Sequence, residues 1–201
     1  MKKFDRAESP VFLEQNAARW NRQWADLKTQ NAGAAFQWYS HAGQPVNQLL
    51  MPFLLAQTQE HCSYCDAFPP KKGDKTIDHF LPKSALRHFL KAYEWANLYA
   101  ACDHCQTSKM EQLSDSLLRP DALEYEFERY FIYQYDSHKI EINPTASDTE
   151  QAAALETRRI FDFNHKGQVI SRRHSWERWH SKNRHEQLEE IDDFAFRFMF
   201  L

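Results

Sequence analysis

Cys62-Ser63-Tyr64-Cys65 and Cys102-Asp103-His104-Cys105 hold all four cysteines of the chain. Between them run Thr76-Ile77-Asp78-His79-Phe80-Leu81-Pro82-Lys83 and Trp95-Ala96-Asn97-Leu98. A two-residue gap lets both sulfurs of a pair turn onto one ion, so two such pairs can close a tetrahedral thiolate cage around Zn²⁺ with bonds of about 2.3 Å. The segment between the pairs then becomes a metal-stapled loop.

Cysteine usage favours the metal over a disulfide framework. Four cysteines in 201 residues are too few for a disulfide-rich secreted scaffold. No charged-then-apolar signal segment opens the chain, so a reducing cytoplasm is the expected location. A thiol redox protein would need one catalytic Cys-x-x-Cys opening a helix in a βαβ pattern, and no alternating strands support that. Hydrophobic residues make up 42% and aromatics 14%, enough for a core, while only 4 glycines argue against a fibrous or loop-rich chain. The longest apolar run, from Leu49 to Ala56, is far short of a bilayer span, so a soluble protein is predicted.

The net charge of -3 at pH 7 does not suit unaided binding to nucleic acid, whose non-specific affinity comes from neutralised phosphates. Local patches or a partner must supply it. Lys71, Lys72, Lys75, Lys83, Arg87 and Lys91 surround the bracketed loop, diluted by Asp74 and Asp78. A second run, Lys166, Arg172, Arg173, Arg178, Lys182 and Arg184, is interleaved with Trp176 and Trp179. A solvated helix face is the plainer reading of each.

Helical spacing of Leu13, Ala17, Trp20, Trp24 and Leu27 behind Ser9-Pro10 predicts an N-terminal docking helix. Residues 31–44 read as irregular, and Val46 to Gln59 as a kinked or two-part helix interrupted by Pro52. Alternation from Phe127 to Tyr135 and from Lys139 to Asn143 predicts a hairpin. Asp148 or Thr149 can cap a helix running to about Phe163, with Asn164 and Gly167 as stop signals, and residues 168–198 read as helical. The phenylalanines at 194, 196, 198 and 200 form an apolar tail, either buried within the chain or offered to a partner.

The chemistry-bearing residues lie between the cysteine pairs. Asp78-His79 falls at the end of a predicted short strand, where adjacent side chains point to opposite sides. Asn97 precedes a second strand, Leu98 to Ala101, and Cys102-Asp103-His104-Cys105 opens a helix carrying Gln106 and Lys109. The implied unit is strand, long loop, strand, helix.

This unit resembles the zinc-supported branch of the HNH nucleases, the ββα-metal fold. That branch reads Cys-x-x-Cys, Asp-His-x-x-Pro, Asn-Leu, then Cys-x-x-Cys-Asn-x-x-Lys or His. Matching residues are Cys62, Cys65, Asp78, His79, Pro82, Asn97, Leu98, Cys102, Cys105 and Lys109, with Gln106 where Asn is common. The resemblance implies a metal-dependent phosphodiester hydrolase with His79 as general base and Asp78 holding a catalytic Mg²⁺ or Mn²⁺. Asn97 would pin the loop or lend its carbonyl oxygen to the metal, Lys109 would meet a phosphate, and the second protein ligand is left open. Lys71, Lys72, Lys75, Lys83 and Arg87 would contact nucleic acid, and the four cysteines would hold a structural Zn²⁺.

Looser patterns in the flanks resemble one subfamily, the HNH subunit of Septu and retron-associated anti-phage systems. They comprise Met1 to Phe4 with Ser9-Pro10, Glu94 to Tyr99, Leu118-Arg119-Pro120, Phe131-Ile132-Tyr133 with Asn143-Pro144, and Ala154 to Thr157 leading to Asn164 and Arg172-Arg173. That resemblance implies a toxic effector with an ABC-type ATPase partner, acting on DNA or on tRNA, and reaching a retron reverse transcriptase and its nucleic acid through the complex. The expected fold is α+β, a mostly helical chain around a ββα-metal core stapled by a four-cysteine zinc site, with an additional β-hairpin. Residues 1–60 would form a helical docking region, 61–112 the nuclease core, and 113–201 the hairpin and C-terminal helices of one compact unit. A zinc-knuckle binding module without catalysis and a thiol redox protein are the competing readings.

Overall fold

The structure, a computed structural model, describes residues 1–68 and 75–200. Helix α1 spans Val11–Gln30 behind Pro10. A minimal hairpin follows, β1 Ser40–His41 and β2 Gln44–Pro45, turning through Gly43 at φ +78°. Helix α2, Val46–Thr58, is a single element that carries Pro52 in its interior.

Strands β3 (Lys75–His79) and β4 (Leu98–Cys102) pair antiparallel, with Asp78 opposite Tyr99 and His79 opposite Leu98. Helix α3, Asp103–Lys109, follows directly. The order strand, long loop, strand, helix is the one the sequence implies, and the fold is mixed α and β as expected.

All five residues of β4 are buried. Successive strand residues face opposite sides, and the two faces of the ribbon belong to different cores. Ile77, Leu98 and Ala100 pack with Leu13, Trp20 and Trp24 of α1 and with Val46, Leu50 and Leu54 of α2. Phe80, Tyr99 and Ala101 pack with the cysteines and with Tyr64, Phe131, Phe161 and Phe196. A two-stranded sheet is marginal alone; burial on both faces holds this one.

The C-terminal half wraps the second core. Helix α4 (Phe127–Tyr130) leads into β5 (Phe131–Gln134), paired with β6 (Lys139–Ile142), then α5 (Asp148–Ile160), α6 (Lys166–His180) and α7 (Arg184–Glu189). Phe127 to Tyr130 is thus helical, not strand. Its buried residues Phe127 and Tyr130 stand at i and i+3, the helical spacing, and only Phe131 to Gln134 alternates.

Ser147, rather than Asp148 or Thr149, caps α5. Its side chain accepts from the Glu150 backbone N–H while Glu150 reaches back to the Ser147 backbone. Ser147→Ala should lower unfolding stability by about 1 kcal/mol, read as a lower thermal midpoint. Gly167 is not a stop signal but sits in the first turn of α6, its N–H capped by His165 Nδ1 at 3.2 Å.

Most of the apolar face of α1 is covered within the chain, with Leu13, Trp20 and Trp24 buried and Leu27 left exposed. Phe194, Phe196 and Phe198 are likewise buried at home, so neither segment is an uncovered docking face. Arg197 ties this tail to the first cysteine knuckle. Its guanidinium meets Asp66 Oδ1 at 2.7 Å, and Phe196 N–H donates to the Asp66 carbonyl at 2.7 Å. Arg172 of the second basic run is buried, donating to the His138 carbonyl at 2.7 Å and the Phe163 carbonyl at 2.8 Å, and is not available to phosphate. No helix among the described residues is long and apolar enough to cross a membrane.

Candidate active site

The knuckle Cys62 to Cys65 reaches the ribbon through one backbone bond, Ser63 N–H to the Ala100 carbonyl at 2.8 Å. Cys102 ends β4 and Cys105 lies in the first turn of α3. All four sulfurs are buried and within 4.8 Å of one another, with Cys65 and Cys102 at 3.6 Å. A tetrahedron of Zn–S bonds of about 2.3 Å has edges of about 3.8 Å. Donor type, number and spacing therefore fit Zn²⁺.

The thiol chemistry agrees. Burial opposes ionisation of Cys62, yet hydrogen bonds from Cys102, Cys105 and Cys65 hold it well below its ordinary range. Cys65, crowded by Cys102, and Cys105, through burial, are pushed well above theirs. Four thiolates cannot share this space without a cation.

Asp78 faces the cysteine side of the ribbon. The Tyr64 hydroxyl, from between the first two cysteines, donates to Oδ2 at 2.7 Å. Lys109, in the last turn of α3, places its ammonium 3.0 Å from Oδ2 and 3.3 Å from Oδ1, and donates to the His79 carbonyl at 2.7 Å. Burial pushes the Asp78 carboxyl up, and the Lys109 charge beside it opposes the rise. Lys109 is itself fully buried, so the expectation that it meets a phosphate is corrected: it compensates Asp78 and fixes the strand end.

His79 faces the other core. Its Nε2 lies 2.9 Å from the Ala92 carbonyl, an acceptor only, so Nε2 carries the proton and Nδ1 is left as the basic atom. Burial, aided by the charge of Lys83, lowers the imidazole to about 3, so the ring is neutral at neutral pH. Trp38 stacks on it with centroids 5.3 Å apart.

Asn97, buried in the turn before β4, pins the loop. Its Oδ1 accepts from Leu81 N–H at 2.7 Å, and its Nδ2 donates to the carbonyls of Leu81 at 3.1 Å and Lys91 at 2.9 Å. Of the two roles expected for it, the side chain is engaged in the structural one.

Asp78 and His79, though anchored in opposite cores, open onto one cavity of about 230 Å³, lined also by Pro82, Lys83, Gln106, Met110 and Glu111. Gln106 donates from Nε2 toward the Ile77 carbonyl at 3.5 Å, which leaves its side-chain carbonyl as an acceptor. Sequence reasoning noted Gln106 only as a departure and missed Glu111 and Met110.

Among the basic residues expected at nucleic acid, Lys83 lines the cavity and Arg87 is exposed on the 3₁₀ helix Leu86–Lys91 that follows. Lys75 stands at the far end of β3 from His79, paired with Glu60. Lys71 and Lys72 lie outside the described residues.

Residues 62–112 match the family model of the HNH endonucleases. The match contains both cysteine pairs, Asp78, His79, Asn97 and Lys109. No curated protein matches the chain. An HNH nuclease domain stapled by a four-cysteine cluster supports metal-dependent nuclease activity.

Proposed function

We propose that this chain hydrolyses phosphodiester bonds with His79 as general base, DNA being the substrate class. The convergence of Asp78 and His79 on one cavity carries this reading. A base must be neutral at working pH and present a free lone pair. The Ala92 bond leaves Nδ1 of His79 as the lone pair that takes the proton from the attacking water.

A divalent ion, Mg²⁺ or Mn²⁺, would neutralise charge on the phosphate and leaving oxygens. The residues fit such an ion. A carboxylate has about four lone-pair sites; Tyr64 and Lys109 hydrogen-bond to two of those of Asp78, which leaves acceptor capacity for a hard cation in the cavity that Gln106 also lines. Lys109 cancels the Asp78 charge, so the ion is expected to bind together with a phosphate rather than before it. Lys83 and Arg87 supply local positive charge on a chain of net charge -3 at pH 7.

The flank resemblance supports a cellular role as the toxic effector of an anti-phage complex, held by an ABC-type ATPase in the cytoplasm. A retron reverse transcriptase and its nucleic acid would reach the chain through that complex.

The test is incubation of the chain, with and without the ATPase, with labelled DNA and total RNA in Mg²⁺ or Mn²⁺. Wild type should cut DNA, and His79→Ala should lose about 10²–10⁴ in rate while keeping its zinc and its fold, with a thermal midpoint lowered by the cavity the buried ring leaves. Cleavage of RNA alone would replace the substrate class, and undiminished cleavage by His79→Ala would end the reading of the base.

A further inference from the structure

The His79 ring meets two aromatic residues from outside the segment that matches the nuclease family. Trp38 lies almost parallel to it at 5.3 Å and 22°, and Phe36 meets it edge-on at 5.2 Å and 78°. The two touch each other at 5.1 Å and 85°. Each is held from behind: Phe36 by Trp24 of α1 at 5.1 Å, and Trp38 by Tyr93 at 5.4 Å. Tyr93 is fixed in turn, its N–H donating to Asn21 Oδ1 at 2.7 Å and its hydroxyl accepting from Tyr39 N–H at 2.9 Å. The ammonium of Lys83, which lines the same cavity, stands 5.3 Å from the Phe36 ring centre.

Residues 34–39 form neither helix nor strand, yet Phe36, Trp38 and Tyr39 all pack against the core that contains Ile77 and Leu98. A single hydrogen bond, from Nε2 to the Ala92 carbonyl, fixes one point of the imidazole but not its plane. Aromatic rings prefer definite mutual orientations, so a stacked ring on one face and an edge-on ring beside it determine the plane that the hydrogen bond leaves free.

We propose that Trp38 and Phe36 are positioning residues, which fix the plane of the His79 ring about its Ala92 hydrogen bond and so hold Nδ1 in line with the reacting water. The inference rests on His79 acting as the base. One consequence is that the 62–112 segment is insufficient for full rate, because the two rings packed against His79 come from residues 36 and 38. Misplacing a reacting group by about 1 Å can cost around a hundredfold.

The test uses the full chain with Trp38→Leu, Trp38→Phe and Phe36→Leu. Leucine keeps apolar bulk without a ring, and phenylalanine keeps a ring. In ¹⁵N imidazole spectra, wild type and Trp38→Phe should show His79 as one tautomer protonated at Nε2, while in Trp38→Leu the ring, free to swing off the Ala92 carbonyl that fixes the tautomer, should show an averaged pair. Trp38→Leu should lower kcat by about tenfold to a hundredfold with KM changed less than twofold, and Trp38→Phe should restore most of it. A single Nε2–H tautomer with wild-type kcat in Trp38→Leu would overturn the proposal, as would equal losses in the leucine and phenylalanine variants. If Trp38→Leu loses zinc or folding, the same two readouts on Phe36→Leu decide. If wild type cleaves nothing, the base reading fails, and the tautomer comparison alone still decides whether these rings orient His79.

Discussion

Replacing Cys105 with alanine should abolish metal binding and unfold the core around it. Cys105 is fully buried beside Tyr99, Phe161 and Phe163, and the cluster of four sulfurs that it completes joins the 62–65 knuckle to β4 and α3. A structural zinc contributes on the order of 10 kcal/mol or more, as much as the whole stability of a typical domain. The damage would spread by identifiable routes. Tyr64 would leave Asp78, and Asp66, one residue beyond the knuckle, would release Arg197 and the C-terminal turn. Elemental analysis should find one zinc per wild-type chain and none in Cys105→Ala, whose circular dichroism should show no cooperative melt.

The pH dependence of zinc binding has a definite sign. Cys65 and Cys105 are held above their ordinary range and so carry protons at neutral pH, which loading must displace. Apparent zinc affinity should fall by at least about a hundredfold for each pH unit lost, two protons being the minimum released. A slope below one proton would mean that the thiols do not bind as a set.

How much of this was legible in the sequence follows from where the information sits. The two Cys-x-x-Cys pairs fix β4 and α3 because the ion demands one geometry of four short-range ligands, and Asp78-His79 at a strand end follows from local pattern. The Ser147 cap is written in the sequence, yet the expectation fell on Asp148 or Thr149 instead: Ser147-Asp148-Thr149-Glu150 carries the reciprocal capping pattern. The packing of Phe36 and Trp38 on His79 was not legible, because an irregular segment has no periodicity from which to read a face. Nor was the burial of Lys109, since a lysine at a helix end is ordinarily solvated; only the tertiary placement of Asp78 opposite it makes the pair.

A division of labour emerges from the two cores. Tyr64, Lys109 and Gln106, around Asp78, all lie within residues 62–112, whereas Trp38 and Phe36, beside His79, do not. The period-two alternation of β3 places consecutive residues under independent control, one set by the cysteine cluster and α3, the other by α1 and the aromatic segment. Helix α1 acts at a distance on the same loop, since Trp24 Nε1 donates to the Lys83 carbonyl at 3.0 Å.

Lys109→Met should be the most damaging change outside the cysteines. It leaves the Asp78 carboxylate buried with Tyr64 as its remaining donor, and breaking a buried pair from one side costs about 3–5 kcal/mol. It also frees the His79 carbonyl, which Lys109 now holds at 2.7 Å. Burial already raises the Asp78 carboxyl from 3.8, and without the ammonium it should rise further. A group raised in the folded state favours folding while protonated, so the destabilisation of Lys109→Met should be smallest below about pH 4, near the unfolded carboxyl value, and grow as pH rises through the elevated folded one. Chemical denaturation across that range measures it. Pairing the change with Asp78→Asn removes the stranded charge and should recover much of the stability but no cleavage. If Lys109→Met unfolds no more readily than wild type at neutral pH, the ammonium is not compensating Asp78. If the double variant recovers cleavage, Asp78 holds no catalytic ion.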